Sequence, residues 1–166
     1  MEALRNANEE QARQIAELKR QLANNPQDTE RITQEFADAD KIFLSNQKSD
    51  EGWKLWEQKD FNGAIKLFDE AIELNPQNAQ AWYRRSSAYH LLKQYNLAIK
   101  DCDKAIELNP NYYDAYFLRY NAHACLKQYE MAIQDLNKII EIFPEKRQNT
   151  YLDLTLFYLY DIENPE

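Results

Sequence analysis

The sequence predicts an all-α solenoid, and three observations carry that prediction. First, the chain repeats itself: Ala64–Pro76 reads AIKLFDEAIELNP, Ala98–Pro110 reads AIKDCDKAIELNP and Ala132–Pro144 reads AIQDLNKIIEIFP, each copy 34 residues after the last. A fixed period of this size marks stacked helical units that bury a continuous core only against their neighbours. Second, only two of the 166 residues are Gly and five are Pro, too little turn chemistry for a multi-stranded sheet. Third, Glu, Lys, Gln, Ala and Leu are plentiful, as long helices require. Such architectures present binding surfaces far more often than active sites.

From the N-terminus, residues 1–24 read as one helix. Met1, Leu4, Ile15, Leu18 and Leu22 fall on a heptad seam whose centre, Asn8 and Gln11, is polar. Two readings stand: a helix packed on its own domain, or a self-associating coiled coil that makes the chain a homo-oligomer. Asn24-Asn25-Pro26 breaks the helix. Asp28 or Thr29 caps the next, with Glu30 favourable in its first turn. Ile32, Phe36, Ala39 and Phe43 then recur at helical spacing, and nothing from Ser45 to Lys48 stops this helix from running on.

Each repeat reads helix A, turn, helix B. The expected pairs are 47–58 with 62–74, 80–92 with 96–108, and 114–126 with 130–142. Lys93-Gln94-Tyr95 recurs as Lys127-Gln128-Tyr129, and Lys59-Asp60-Phe61 stands at the same turn of the first copy. Asn-Pro or Phe-Pro ends each helix B, because proline cannot continue it and restrains the residue before it. After Pro144, Tyr151, Leu154, Phe157 and Tyr158 suggest a last helix over about 147–161. Its LTLFYLY run alternates enough to pass for a strand. Placement beside a helical stack decides for helix. The expected division is therefore 1–44, 45–146 as three units (45–78, 79–112 and 113–146), and 147–166.

These residues carry a resemblance. The second unit holds Trp82, Ser86, Tyr89, Ala98, Ala105 and Pro110, and the first holds Gly52, Leu55, Ala64, Phe68, Ala71 and Pro76. In type, order and spacing this resembles the tetratricopeptide-repeat family. Small residues let helices A and B approach closely while large ones fill the space beside them. The chain departs from the pattern at Lys48, where an aromatic is usual, and at Tyr120 and Ile139, where small residues are usual. Large groups at the last two sites are expected to push the third helix pair apart or tilt it.

The resemblance implies that helix A of each unit lines a concave groove. The matching residues here include Trp53, Trp56, Tyr83, Arg84, Ser87, Phe117, Leu118 and Asn121, and they are the candidate peptide-binding site. Rigid aromatics with Arg84 as a polar anchor have the make-up of a binding hot spot. The alternative is that the chain's own terminal helices cover these rings, since an open apolar groove is sticky. Some relatives clamp the C-terminal carboxylate of heat-shock chaperones with Lys and Asn on the first helix A, Asn on the second, and Lys and Arg on the third. Here those positions hold Ser49, Trp53, Arg84, Asp114 and Leu118, so no carboxylate clamp is expected.

Catalysis finds little support. His90, His123 and Cys125 form the only soft-ligand set worth testing. They lack a short metal-ligand spacing, and His123 takes the place of the packing ring Tyr89, so a core or rim histidine is expected. No Gly-rich phosphate loop and no nucleophile–His motif occurs. Acidic pairs such as Asp101 and Asp103 are read as solvated helix faces. No cofactor and no metal are expected.

The net charge of −8 is uneven: zero over residues 1–24, −3 over 25–44, −2 over 45–146 and −3 over 147–166. Without a basic stripe, nucleic acid and anionic membrane surfaces are not expected partners. Cys102 and Cys125 read as small buried hydrophobes, which fits cytoplasm or another reducing compartment. The mixed-charge N-terminus is neither a secretory signal nor a transit peptide, and no apolar run is long enough to cross a membrane. The expected function is a non-catalytic adaptor or structural subunit of a larger macromolecular or cytoskeletal assembly. Leu4, Ile15, Leu18, Leu22, Phe157 and Leu159 form its expected assembly surface. The alternative is a small chaperone or co-chaperone that holds client segments.

Overall fold

The computed structural model describes residues 10, 12–17, 19–20 and 29–146. The described residues between 10 and 20 are helical, and Ile15 is half-buried. Six α-helices follow: α1 (Thr29–Glu57), α2 (Phe61–Leu74), α3 (Ala79–Leu91), α4 (Tyr95–Leu108), α5 (Tyr113–Cys125) and α6 (Tyr129–Ile142), then a 3-10 turn, Pro144–Lys146. No strand occurs among the described residues. Backbone contacts divide the chain into two compact units, Met1–Leu44 and Ser45–Glu166. Leu4, Leu18, Leu22, Phe157 and Leu159, expected at an assembly surface, lie outside the described residues, as does the expected C-terminal helix.

In the first unit, Arg31 pairs with Glu35 at 3.2 Å and Lys41 with Asp38 at 3.7 Å, one helical turn apart on exposed faces. Ile32 is buried, whereas Ile42 and Leu44 are exposed. The helix begun at Thr29 runs on through Ser45–Lys48 without a break, as the sequence permits.

In the second unit, small residues sit at the helix contacts. Ala64, Ala71, Ala81, Ala88, Ala98, Ala105, Ala115, Ala122 and Ala132 have no exposed surface. Gly52 belongs to the same set: a Cβ built there would stand 2.7 Å from Phe68 Cε1 and 3.2 Å from the Ala64 carbonyl. Large side chains fill the remaining space. Phe68 is buried with Ala64 and Ala88 beneath Trp53, Leu55, Trp56, Phe61 and Ile65. Tyr116, Leu136 and Ile139 form the core of the last helix pair, with Phe117, Tyr120 and Phe143 against it.

The turns repeat as closely as the helices. Lys59, Lys93 and Lys127 take left-handed backbone, with φ of 66°, 58° and 57°. At each, the lysine N–H and the next N–H reach back to the ending helix. Lys93 N donates to the His90 carbonyl and Gln94 N to the Tyr89 carbonyl, both at 2.9 Å. This is the Schellman arrangement, in which a left-handed residue lets the last carbonyls find donors. Asp60 and Asn78 cap α2 and α3, accepting from Gly63 N and Ala81 N. Each helix B ends one residue before Asn75, Asn109 or Phe143, the residue that precedes proline, and Asn75 and Asn109 are extended.

One expectation is overturned. Asp101 and Asp103 are not simply solvated. Arg85 places Nε 2.7 Å from Asp101 Oδ2 and Nη1 2.6 Å from Asp69 Oδ1, and Asp101 is buried. One repeat later Arg119 contacts Asp135 and Asp103 in the same way, with Asp135 buried. Arg85 and Arg119, each on a helix A, thus bridge their own helix B and the preceding one. Burial pushes the Asp101 and Asp135 carboxyls above their ordinary range despite the arginine against them.

Candidate functional site

The A helices α1, α3 and α5 hold the candidate peptide-binding residues, and the structure gives each of them a local setting. Trp53 and Trp56, three residues apart on α1, stack with ring centroids 4.4 Å apart and planes 8° from parallel. Both are half-buried against Phe68 and Ala88. The Trp56 indole N–H is buried without a hydrogen-bond acceptor. Tyr83 rests on Tyr112 at 5.1 Å. Burial raises the Tyr83 phenol and pushes Tyr112 up to about 12, so both stay neutral donors at physiological pH.

Arg84 is less available than its sequence position suggests. Its Nη1 donates to Asp50 Oδ1 at 2.7 Å and to Ser49 Oγ at 2.8 Å, and its guanidinium lies 5.5 Å from the Trp53 ring. Its side chain is 13 % exposed, against 39 % for Asp50. The pair joins equivalent positions of successive A helices, residues 50 and 84. Behind it, Ser45 Oγ donates to the Ala71 carbonyl at 2.7 Å and accepts from Asn78 Nδ2 at 2.9 Å. This fixes the start of α3 against the end of α2. Ser87 is buried.

On α5, Phe117 stacks on Tyr113 at 6.0 Å and tilts against Tyr120 at 5.6 Å, with its inner edge on the last core cluster. Asn121 donates its side-chain amide to the Phe117 carbonyl at 2.9 Å, and Leu118 is half-buried. Asp114 is exposed. The helix-A face is therefore a row of half-buried rings with its central cation already matched by a carboxylate.

The soft-ligand set does not converge. His123 is buried with Nδ1 2.7 Å from Gln128 Oε1, and His90 packs edge-on to Tyr95 at 5.3 Å. Cys125 is exposed and Cys102 buried, so the expectation of two buried thiols holds for Cys102 alone. Among the described residues no group of three His, Cys, Asp or Glu is placed to hold a metal ion. No described helix is long and apolar enough to cross a membrane.

The tetratricopeptide-repeat family model matches residues 49–113. No curated protein matches the sequence. Solved structures do. The TPR domain of Arabidopsis OM64 is 28 % identical, with a TM-score of 0.61 over 63 % of this chain and 87 % of that one. The TPR2B domain of yeast Sti1, in complex with pHsp70, is 27 % identical, with a TM-score of 0.61 over 66 % and 92 %. The first TPR domain of Spaghetti (RPAP3), bound to the HSP90 peptide SRMEEVD, is 26 % identical, with a TM-score of 0.61 over 69 % and 95 %. Helix pairs repeating every 34 residues, small residues at their contacts and these likenesses lead to one conclusion: residues 49–113 match the tetratricopeptide-repeat family, and the helix pairs of Ser45–Lys146 fold as a helix-turn-helix solenoid like that of TPR domains.

Proposed function

We propose that this chain is a non-catalytic adaptor that holds an apolar or aromatic segment of a partner protein along the A-helix face. Trp53, Trp56, Tyr83, Phe117 and Leu118 would supply contact area, and Asn121 and the rim of Arg84 would supply polar contacts. One of the similar domains is described bound to the HSP90 peptide SRMEEVD, and another in complex with pHsp70. Peptide capture by this fold supports the adaptor reading. The observation that carries the choice of ligand is the Arg84–Asp50 pair at 2.7 Å. It matches the charge that would otherwise attract an acidic tail, and Asp114 adds a like charge on the neighbouring helix. The stacked tryptophan pair beside it favours an apolar anchor.

The test is a fluorescence titration of the native chain with two peptides. One is SRMEEVD, and the other is a leucine-rich amphipathic helix with an amidated C-terminus. The expected outcome is tighter binding of the amidated apolar peptide, quenching or shifting emission from Trp53 and Trp56. Tighter binding of SRMEEVD would defeat the proposal. Crosslinking mass spectrometry in native extract would then identify the partner.

A further inference from the structure

An open pocket of about 370 Å³ lies among α4, α5 and α6 and shares no residue with the candidate groove. Ile99 and Asp103 of α4 form one wall, Met131, Gln134, Asp135 and Lys138 of α6 the other, and Tyr116, Arg119 and His123 of α5 the floor. On α5 those three residues follow a helical face distinct from Phe117, Leu118 and Asn121.

A comparison within the molecule shows what belongs in such a place. One repeat earlier, the positions of Tyr116 and His123 hold Trp82 and Tyr89. There both rings lie over the Arg85 guanidinium, at 4.8 Å and 5.8 Å. On α5 both positions carry smaller rings. Arg119 has Tyr116 at 5.5 Å, and His123 turns Nδ1 to Gln128. The arginine and its two carboxylates are kept, and ring volume is lost.

We infer that this pocket receives a neutral aromatic side chain, a tyrosine first of all, from a partner protein. The ring would take the place over Arg119 that Tyr89 takes over Arg85. Planar rings are attracted to a guanidinium face. Charge argues against an anionic occupant, because Arg119 is already matched by Asp103 and Asp135, and Lys138 by Glu141 at 2.9 Å. Gln134 on the wall suits a phenolic hydroxyl, since its amide can donate to and accept from a group that itself does both. A protein source, rather than a free aromatic molecule, follows from the rim. Met131 is 48 % exposed, and its equivalent on α4, Leu97, is 42 % exposed. Together they offer apolar surface beyond the pocket that flanking residues of a peptide would cover.

The experiment is amide-resolved NMR of the full chain, titrated with N-acetyl-tyrosinamide, N-acetyl-leucinamide, and the capped peptides Ala-Leu-Tyr-Leu-Ala and Ala-Leu-Ala-Leu-Ala. Tyrosinamide should shift the amides around Tyr116, His123 and Met131, and leucinamide should not. The tyrosine peptide should bind at least about tenfold tighter than tyrosinamide, because it adds contacts on the rim. The Tyr116→Trp, His123→Tyr variant, which reproduces the α3 rings Trp82 and Tyr89, should lose these shifts. Equal shifts from leucinamide, no shifts from tyrosinamide, or shifts that persist in a folded filled variant would overturn the inference. A tyrosine peptide no tighter than tyrosinamide would overturn the protein source. If the filled variant fails to fold, the tyrosine and leucine arms on the native chain still decide.

Discussion

Arg84 donates to Asp50 across two successive A helices at 2.7 Å, so the cation best placed to attract an acidic ligand already has its counter-charge. Asp50→Asn should release it. Affinity for SRMEEVD should rise by up to roughly fivefold, as expected for one partly exposed ion pair worth up to about 1 kcal/mol. Isothermal titration of the variant and native chains checks this, and a gain that vanishes in high salt would identify its electrostatic origin.

The two carboxylates on Arg85 should behave differently. Asp101 is 7 % exposed at its side chain and Asp69 is 44 % exposed. Arg85→Leu strands a buried carboxylate and should cost about 3–5 kcal/mol. Asp69→Asn should cost under about 1 kcal/mol. Urea denaturation of the two variants distinguishes them, and similar costs would contradict the burial difference.

Two glycine exchanges should act in opposite directions. Gly52→Ala places a methyl group against the Phe68 ring and should cost about 1–3 kcal/mol by overpacking. Lys93→Gly relieves a left-handed residue that bears a side chain and should gain about 0.5–1 kcal/mol. Melting temperatures measured side by side should fall for the first and rise for the second.

His90 predicts a pH dependence. Burial lowers its folded-state pKa below the ordinary 6.5, and its Nε2 is buried without a partner. A histidine depressed on folding binds more protons when unfolded. Its stability contribution is therefore present above the ordinary value and lost as pH falls through and below it. Between pH 7 and 5 the native chain should lose more melting temperature than His90→Phe. Parallel curves would rule the histidine out.

Alkylation should separate the thiols. Cys102 is fully buried and burial pushes its thiol up to about 12, while Cys125 is exposed. Iodoacetamide on the folded chain should modify Cys125 first, with Cys102 protected until the chain unfolds.

Much of this fold was legible because the chain states it three times. Recurrent prolines and the Lys-Gln-Tyr turns placed helix ends from α2 onward within a residue of those observed. The charge pairs were harder. Asp101 looks like a surface residue on its own helix, because helical periodicity alone does not tell a solvated face from one covered by another helix. The available signal was that Arg85 and Arg119, Asp69 and Asp103, and Asp101 and Asp135 each recur 34 residues apart. Arg84 and Asp50 carried a similar signal, opposite charges at equivalent positions of stacked helices. The candidate rings were legible as residues, but the division of each between core and surface was not. That depends on side-chain volumes across three helices, as does the space beside His123.

The paired arginines also bear on how an array of this kind can lengthen or shorten. Each takes its buried carboxylate from its own helix pair and its exposed one from the pair before: Asp101 and Asp69 for Arg85, Asp135 and Asp103 for Arg119. A terminal pair that frays, or is lost by deletion, leaves behind only the exposed acid, which water accepts. A duplicated pair would arrive with its costly charge already matched. Growth and erosion at the end of the stack thus proceed in whole 34-residue steps without stranding an ion in the interior.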